Sequence, residues 1–240
     1  MKQISLTLVI VALFAGIAIV GCPPAIQTES PTITLTGEGA AKTALEGLVY
    51  SFTPTTDGNS YTIGKTAITD TDLFDMTGAD VLDVAATGYA ALDFGGDTFT
   101  LYGEPYGSVW VGQNGTLAFG TDAPAADATH ANTIGIAALR TDLTGGTVTG
   151  TVAQSTFVAD WADVATAADE AKTGETVNTS RFQVQGVLDS HATEADRGAI
   201  DIIFPAVDDD IDAAEVGVSS AEAGSVTTGT VATPTADAAV

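Results

Sequence analysis

Residues 109–119 have the sequence VWVGQNGTLAF and carry the strongest local signal in this chain of 240 residues. Valine, tryptophan and phenylalanine favour β-strands. The Asn114-Gly115 dipeptide is typical of a two-residue type I′ turn, whose twist matches that of the strands it joins. The stretch therefore predicts a β-hairpin with Asn114 and Gly115 at its tip.

The predicted tip also fixes which residues of the hairpin face one another. A two-residue turn at positions 114–115 would pair Trp110 with Phe119, and it would place Gly112 opposite Leu117. Trp110, Leu117 and Phe119 would then share one face, with the small Gly112 making room among them. We expect that face to lie in the hydrophobic core, and a shift of one residue along one strand would split the cluster.

Short segments of alternating polar and apolar residues recur along the rest of the chain. They are rich in threonine, valine and aromatic residues, and they include residues 98–102, 156–161, 182–184 and 200–204. A period of two is typical of antiparallel strands, whereas helical periodicity is weak here. The Ala-rich acidic stretch Asp163–Thr173 favours a loop over a short helix. The sequence therefore predicts an all-β protein, an antiparallel β-sandwich formed by a single domain.

A motif around the hairpin resembles a known family. Its residues are Tyr106, Val109, Val111, Asn114, Gly115, Leu117, Phe119 and Gly120. Their spacing is similar to the central motif of nidogen-like extracellular β-domains and their bacterial relatives, and strand patterns in the family's order cover residues 44–220. The resemblance implies a non-enzymatic extracellular module used in adhesion or matrix assembly, with no single agreed ligand.

The chain departs from the usual family pattern in two places. Arg140-Thr141 stands before Asp142, where relatives usually have an aromatic residue, often a tryptophan followed by an acid. The cysteines of the animal members are absent, because Cys22 is the single cysteine of this chain. The resemblance is therefore carried by patterned apolar residues and glycines.

The first 22 residues resemble a bacterial lipoprotein signal. Lys2 provides a positive start, Ile4–Val20 is an uncharged apolar run, and the lipobox Ile19-Val20-Gly21-Cys22 follows. The resemblance implies that Cys22 receives acyl chains and becomes the first residue of the mature protein. An ordinary secretory signal or a membrane-spanning anchor are the alternatives, but the apolar run is short for a span.

This interpretation predicts the organisation and the location of the protein. We expect a helical signal peptide at residues 1–21, a flexible linker at 22–43, the β-sandwich domain at 44–220 and a disordered tail at 221–240. The membrane would be a partner through the acyl chains on Cys22. Pro23 stands where an aspartate usually directs retention at the inner membrane, so we expect the cell envelope, with the outer membrane or cell surface as the destination.

The charge balance restricts the possible partners. With 31 acidic residues and 7 lysines and arginines, the chain has a formal charge of −24. Nucleic-acid binding depends on lysine and arginine neutralising phosphates, so we expect no nucleic-acid partner. A saline habitat is an alternative reason for the acidic surface. The expected partner is a protein or glycan that the sequence does not specify.

Asp208, Asp209, Asp210 and Asp212 form the densest acidic run and are candidate calcium ligands. Clustered carboxylates suit this hard cation, although the glycine and glutamate spacing of an EF-hand is absent and a solvated acidic loop is the alternative. A second polar stretch, Asp189–Asp196, is predicted to be a loop between two strands and not a metal site. Residues 58–66 resemble a phosphate-binding loop, but their spacing is wrong and favours a turn that leads into a polar strand.

The sequence leaves three functions open. Neither His130 nor His191 lies in a recognisable catalytic motif, so no catalytic residue is nominated. The favoured hypothesis is a lipid-anchored, non-catalytic binding or assembly module. The alternatives are a secreted polysaccharide hydrolase that uses a carboxylate pair, and a calcium-dependent, lectin-like carbohydrate-binding module.

Overall fold

A computed structural model describes residues 30–37, 39–69, 71–84, 88–125, 133–153, 155–166, 178–220 and 226–228. The strands of the first half of the chain are β1 Ser30–Thr36, β2 Leu48–Pro54, β3 Tyr61–Ala67, β4 Asp80–Val81, β5 Tyr89–Asp93, β6 Phe99–Leu101, β7 Glu104–Tyr106, β8 Ser108–Gly112 and β9 Thr116–Ala118. The strands of the second half are β10 Ile134–Arg140, β11 Leu143–Thr144, β12 Thr147–Ala153, β13 Thr156–Thr166, β14 Ser180–Val187, β15 Ile200–Ala206, β16 Ala213–Ser220 and β17 Val226–Thr228. One helix, α1 Ala40–Leu45, joins β1 to β2.

The strands form two large sheets and one small hairpin. The first sheet has the order β17-β1-β16-β10-β9-β8-β5, and the second has the order β3-β2-β15-β14-β13-β12-β4, with β11 also paired to β13. Strands β6 and β7 pair with each other. Neighbouring strands are antiparallel except β1 and β17, which are parallel. The prediction of an all-β, antiparallel sandwich is confirmed.

The core lies between the two sheets and is rich in aromatic rings. Phe99 meets Phe157 edge to face at a centroid distance of 5.0 Å, and Phe119 stacks on Phe99 at 5.7 Å. Towards the other end of the sandwich, Trp161 stacks on Phe182 at 4.8 Å. Apolar residues at alternate strand positions supply the rest of this core, which is why the period of two in the sequence predicts the fold.

The register of the central hairpin differs from the prediction. Trp110 pairs with Ala118, and Val111 pairs with Leu117. The loop therefore has three residues, 113–115, and the amide of Gly115 donates to the carbonyl oxygen of Gly112 at 3.3 Å. Gly115 has a φ of +76°, as in a type I turn followed by a glycine bulge.

This shift separates Trp110 from Leu117 and Phe119. Leu117 and Phe119 lie in the core as predicted, whereas Trp110 is half-buried on the other face of the first sheet, so its assignment to the core is wrong. The cause is a contact that is distant in sequence. The carbonyl oxygen of Gly115 accepts a hydrogen bond from the amide of Ala138 at 2.8 Å, which docks the loop against β10.

The predicted domain boundaries are also corrected at both ends. Strand β1 lies within the predicted linker 22–43, and its Ile33 and Leu35 are buried in the core. The segment TITLT alternates polar and apolar residues, so it forms a strand beside β16. Residues 226–228 of the predicted disordered tail form β17. The signal peptide, Cys22 and the rest of the tail lie outside the described residues.

Strand β13 continues to Thr166, so the first four residues of the predicted loop Asp163–Thr173 belong to a strand. Asp163 has a φ of +57° and lies where the register between β13 and β14 shifts. Such a bulge allows the strand to continue past the irregularity. Residues 167–173 are outside the described part of the chain.

A connecting segment crosses the outer face of the second sheet and is held by two glutamines. The side-chain oxygen of Gln183 accepts a hydrogen bond from the backbone amide of Phe74 at 3.0 Å. The side-chain nitrogen of Gln183 donates to the carbonyl oxygen of Phe74 at 3.1 Å. Gln185 donates to the carbonyl oxygen of Asp72 at 2.8 Å. Gln183 is completely buried, and these bonds satisfy its amide.

The two ends of the sandwich differ. At the first, here named the groove end, lie the β2–β3 turn, the β6–β7 hairpin and the loop between β14 and β15. At the opposite end lie α1, the 113–115 loop and the segment after β15. Strand β1 starts at the groove end, because it runs antiparallel to β16, whose last residue Ser220 pairs with Ile134 at that end. Within the described residues, no helix has the length and apolar character needed to cross a membrane.

Candidate binding groove

A groove of about 700 Å³ opens at the groove end. Three segments that are distant in sequence form its walls: the β2–β3 turn, the β6–β7 hairpin and the β14–β15 loop. The side chains that give it chemical character are Thr55, Asp57, Tyr61, Tyr102, Glu194 and Arg197. Ligand sites commonly have this size, of about 300–1,000 Å³, and a few convergent polar groups.

Two tyrosines form the aromatic part of the groove. The rings of Tyr61 and Tyr102 meet edge to face, with centroids 5.0 Å apart and an interplanar angle of 77°. Tyr61 is buried, and this burial raises the pKa of its hydroxyl well above the ordinary value. Tyr102 keeps part of its surface exposed. The pair therefore combines a fixed inner ring with an outer ring that solvent can reach.

Tyr102 and Gly103 form the turn between β6 and β7. Leu101 pairs with Glu104 across a two-residue loop, and the φ angles of Tyr102 and Gly103 are +50° and +80°. Two consecutive positive φ angles are the mark of a type I′ turn. The turn type that the sequence predicted at Asn114-Gly115 therefore occurs at Tyr102-Gly103, where a bulky residue occupies a position that asparagine or glycine usually fills.

Asp189 fixes the loop between β14 and β15 against the small hairpin. Its carboxylate accepts hydrogen bonds from the hydroxyls of Thr98 and Thr100, both at 2.8 Å, and from the Thr100 amide at 3.2 Å. Arg197 lies 3.8 Å away, measured from its Nε to Asp189 Oδ1. The stretch Asp189–Asp196 is thus a polar loop between strands, as predicted, and it forms one wall of the groove.

A second carboxylate holds the same loop. The hydroxyl of Ser190 donates to the carboxylate of Asp97, and the Ser190 amide donates to Asp97 Oδ1 at 3.2 Å. The hydroxyl bond and the Thr98 amide are the main reasons why the pKa of Asp97 lies below its usual value. Asp97 is therefore a second anchor of this loop, and its contacts favour the ionised carboxylate.

Asp57 provides a fixed carboxylate in the β2–β3 turn. It accepts a hydrogen bond from the Thr55 hydroxyl at 2.5 Å and another from the Asn59 amide at 3.2 Å. These bonds lower the pKa of Asp57. The prediction for residues 58–66, a turn that leads into a polar strand, is confirmed, because the turn runs directly into β3 at Tyr61. The turn forms one wall of the groove.

Gly198, next to the groove residue Arg197, lets the β14–β15 loop pack closely against Thr100 and Tyr61. Its φ is +80°, and a Cβ placed there would lie 2.6 Å from the carbonyl oxygen of Thr100 and 3.3 Å from the hydroxyl of Tyr61. Atoms at 2.6 Å overlap, so any side chain at this position would push the hairpin away from the loop. The backbone of the loop therefore approaches the hairpin as closely as glycine allows.

The predicted calcium ligands lie at the opposite end of the sandwich, after β15. Ligand oxygens of Asp208, Asp209 and Asp210 come within 4.8 Å of one another, but Asp212 is not part of this group. The carbonyl oxygen of Asp212 instead accepts the amide of Gly37 at 2.7 Å. Asp208 is buried, and its Oδ1 accepts the amide of Asp210 at 2.9 Å. Calcium binding by this loop stays a prediction.

The tip of the central hairpin, Asn114-Gly115, also lies away from the groove. Asn114 lines a second pocket, of about 550 Å³, together with Arg140, whose Nη1 bonds Glu215 at 2.8 Å. Sequence reasoning missed the groove because its residues come from three separated segments. The available signal was the Tyr102-Gly103 pair between two short alternating segments, which is a hairpin pattern in itself.

The fold and the groove define a β-sandwich with a ligand-sized polar and aromatic depression at one end. Comparison with known families identifies the family to which this β-sandwich belongs. The model of the NIDO-related family matches residues 49–240, so this chain belongs to the NIDO-related family. The resemblance to nidogen-like domains is thereby confirmed. No curated protein and no solved structure matches the chain.

Proposed function

We propose that this chain is a lipid-anchored protein of the cell envelope that displays its β-sandwich as a non-catalytic binding module. The groove at the groove end carries the binding part of this proposal. It combines a partly exposed aromatic ring with ionisable groups in a volume that suits a small ligand or the end of a polymer.

The lipid anchor rests on the lipobox that ends at Cys22. Seven residues, 23–29, lie between Cys22 and Ser30, where β1 begins. An extended chain spans about 3.3–3.6 Å per residue, so this connection reaches roughly 25–30 Å at most. If Cys22 carries the acyl chains, this length keeps the sandwich close to the membrane, and the connection joins the sandwich at its groove end. An outer-membrane or cell-surface location completes the proposal.

The absence of catalysis is the second part of the proposal, and membership of the NIDO-related family supports it, because that family is generally non-catalytic. A glycosidase needs one carboxylic acid that keeps its proton near neutral pH beside a second, ionised carboxylate. The hydrogen bonds that lower the pKa of Asp57 suit the second role and not the first. The proposal therefore assigns the groove to binding and not to hydrolysis.

The calcium-dependent lectin alternative gains no support from the arrangement. Asp208–Asp210 follow β15 at the end opposite to the groove. A calcium ion held there would be too distant to contact a ligand in the groove. It would act on the stability of the loop instead.

Two experiments test the proposal. The first compares the wild-type protein with Cys22→Ser in membrane fractionation of the producing cell. We expect the variant to leave the membrane fraction, and a variant that remains there would contradict the lipid anchor.

The second experiment uses the purified full chain to capture ligands from extracts of the cell envelope and its surroundings. Saturable binding that a substitution in the groove removes is the expected result. Hydrolysis of a polysaccharide without saturable binding would favour the hydrolase alternative.

A further inference from the structure

Tyr102 has a backbone conformation that tyrosine rarely adopts. Its φ of +50° lies in the left-handed region, where side chains with a bulky Cβ substituent are disfavoured. Asparagine followed by glycine forms the same turn with less strain, and Gly103 already occupies the second position. The turn alone therefore does not explain why a tyrosine stands here.

The hydrophobic core does not explain it either. Tyr102 is half-buried and contacts the core from outside through the edge-to-face packing on Tyr61. Its remaining surface borders the groove. Strained residues persist where the surrounding structure holds them, and they cluster at ligand-binding positions. The strain thus holds an aromatic ring in the lining of a groove whose other lining residues include polar groups.

The polar groups around the ring suit hydroxyl groups of a ligand. Asp57 and Glu194 offer acceptor oxygens, Arg197 offers guanidinium donors, and Thr55 offers a hydroxyl. A pyranose ring has a rim of hydroxyls that donate and accept, and a face of C–H groups that packs against an aromatic ring. The groove matches both parts of such a ring.

The charges favour an uncharged ligand. Among the described residues that line the groove, Arg197 is the only cationic group, and Asp189 lies 3.8 Å from its Nε. Asp57 and Glu194 add negative charge, and the whole chain has a formal charge of −24. An acidic sugar would meet repulsion that a neutral sugar does not.

We propose that the groove binds neutral carbohydrate, with the exposed surface of Tyr102 packed against the apolar face of a pyranose ring. This inference rests on the proposed function, since it names the ligand class of the same groove.

The experiment measures binding by isothermal titration calorimetry on the purified full chain. The probes are the neutral oligosaccharides cellohexaose and chitohexaose and the acidic oligomer hexagalacturonate. Three proteins are compared: the wild type, Tyr102→Phe, which keeps the ring, and Tyr102→Asn, which removes the ring but favours the turn. The thermal midpoint of each protein is recorded in parallel.

We expect the wild type and Tyr102→Phe to bind at least one neutral probe and to bind the acidic probe more weakly. Tyr102→Asn should bind at least about tenfold more weakly, as expected for loss of an aromatic contact at the centre of a site, while keeping its thermal midpoint. A Tyr102→Asn protein that binds as well as the wild type overturns the inference. So does a large fall in its midpoint together with normal behaviour of Tyr102→Phe, because Tyr102 would then serve the fold.

The outcomes separate this inference from the proposed function. A wild-type protein that binds none of the oligosaccharides but captures an envelope protein through the groove overturns the carbohydrate ligand and leaves the binding module intact. A wild-type protein that captures nothing in either experiment overturns both.

Discussion

The indole Nε1 of Trp161 donates a hydrogen bond to the carbonyl oxygen of Gly112 at a distance of 3.0 Å. Trp161 belongs to β13 in the second sheet, and Gly112 ends β8 in the first. The bond therefore joins the two layers across the core. It also holds the end of β8 where the 113–115 loop begins, so the packing between the sheets and the register of the hairpin depend on the same contact.

Substitution of Trp161 by phenylalanine tests this connection. The variant keeps an aromatic ring beside Phe182 but leaves the carbonyl oxygen of Gly112 with the amide of Gly115 as its remaining donor. We expect a loss of about 0.5–1.5 kcal/mol from the lost buried hydrogen bond, with a further loss from the smaller ring. Chemical denaturation measures the free energy of unfolding. A loss below about 0.5 kcal/mol would show that the bond contributes nothing to stability.

The corrected register of the hairpin predicts an order of effects. Leu117→Ala removes a side chain from the core and should cost about 2–5 kcal/mol. Trp110→Ala removes a half-buried ring from the outer face, so its cost should be clearly smaller despite the larger side chain. Unfolding of the two variants under the same conditions gives the comparison. A larger loss of unfolding free energy for Trp110→Ala than for Leu117→Ala would contradict this register and favour the pairing of Trp110 with Phe119.

The hairpin also shows where prediction from the sequence stops. The alternation of apolar residues in 109–119 and elsewhere predicts strands correctly because burial on one face requires it. The Asn114-Gly115 pair, however, fits both a two-residue and a three-residue loop. The structure has the three-residue loop, in which the carbonyl oxygen of Gly115 bonds to the amide of Ala138. The sequence of the hairpin alone does not indicate that contact.

Two other parts of the structure show the same limit in different ways. Strand β1 could have been predicted, because TITLT alternates polar and apolar residues, but the surrounding threonines, prolines and glycines favoured a linker. The groove could not be predicted, because Tyr61, Tyr102 and Arg197 come close only when three separate loops pack together. The spacing of these residues along the chain does not indicate that they are close in the fold.

Gly198→Ala should disturb the groove more than a comparable glycine substitution elsewhere. Alanine at a positive φ costs about 1 kcal/mol, and at position 198 its Cβ would also overlap the carbonyl oxygen of Thr100. Gly78→Ala is the matched control, since Gly78 has a φ of +84° and open space around its Cβ position. Unfolding free energies and ligand binding are measured for both variants. Equal losses in the two variants would contradict the close contact at Gly198.

The Asp97–Ser190 contact predicts a dependence of the groove wall on pH. The pKa of Asp97 in the folded protein is lower than its ordinary value of 3.8, so the contact favours the folded loop above that value. This contribution is lost as the pH falls through the lowered pKa and Asp97 takes up a proton. We expect the amide resonance of Ser190 to shift below about pH 4, and its protection from hydrogen exchange, relative to an unfolded peptide at the same pH, to fall.

Asp97→Asn provides the control for this titration. The variant should show the loosened loop already at pH 7 and should have lost the acid-dependent step. If the Ser190 amide of the variant titrates as in the wild type, another group is responsible.

The acidic loop after β15 tests the predicted calcium site. The close carboxylates of Asp208, Asp209 and Asp210 repel one another, so a bound divalent cation should raise the thermal midpoint and a chelator should lower it. Asp209→Asn should weaken this response, whereas Asp212→Asn, outside the group, should leave it unchanged. A thermal midpoint that changes with neither calcium nor chelator would contradict the predicted calcium site.

The central claim is that a displayed sandwich binds its ligand in the groove. The most direct measurement follows backbone amide resonances of the purified protein while the captured ligand, or cellohexaose as a first probe, is titrated. We predict saturable shifts concentrated in residues 55–58, 100–103 and 194–198. Shifts concentrated around Asn114 and Arg140 at the opposite end, or hydrolysis of the probe without saturable shifts, would contradict it.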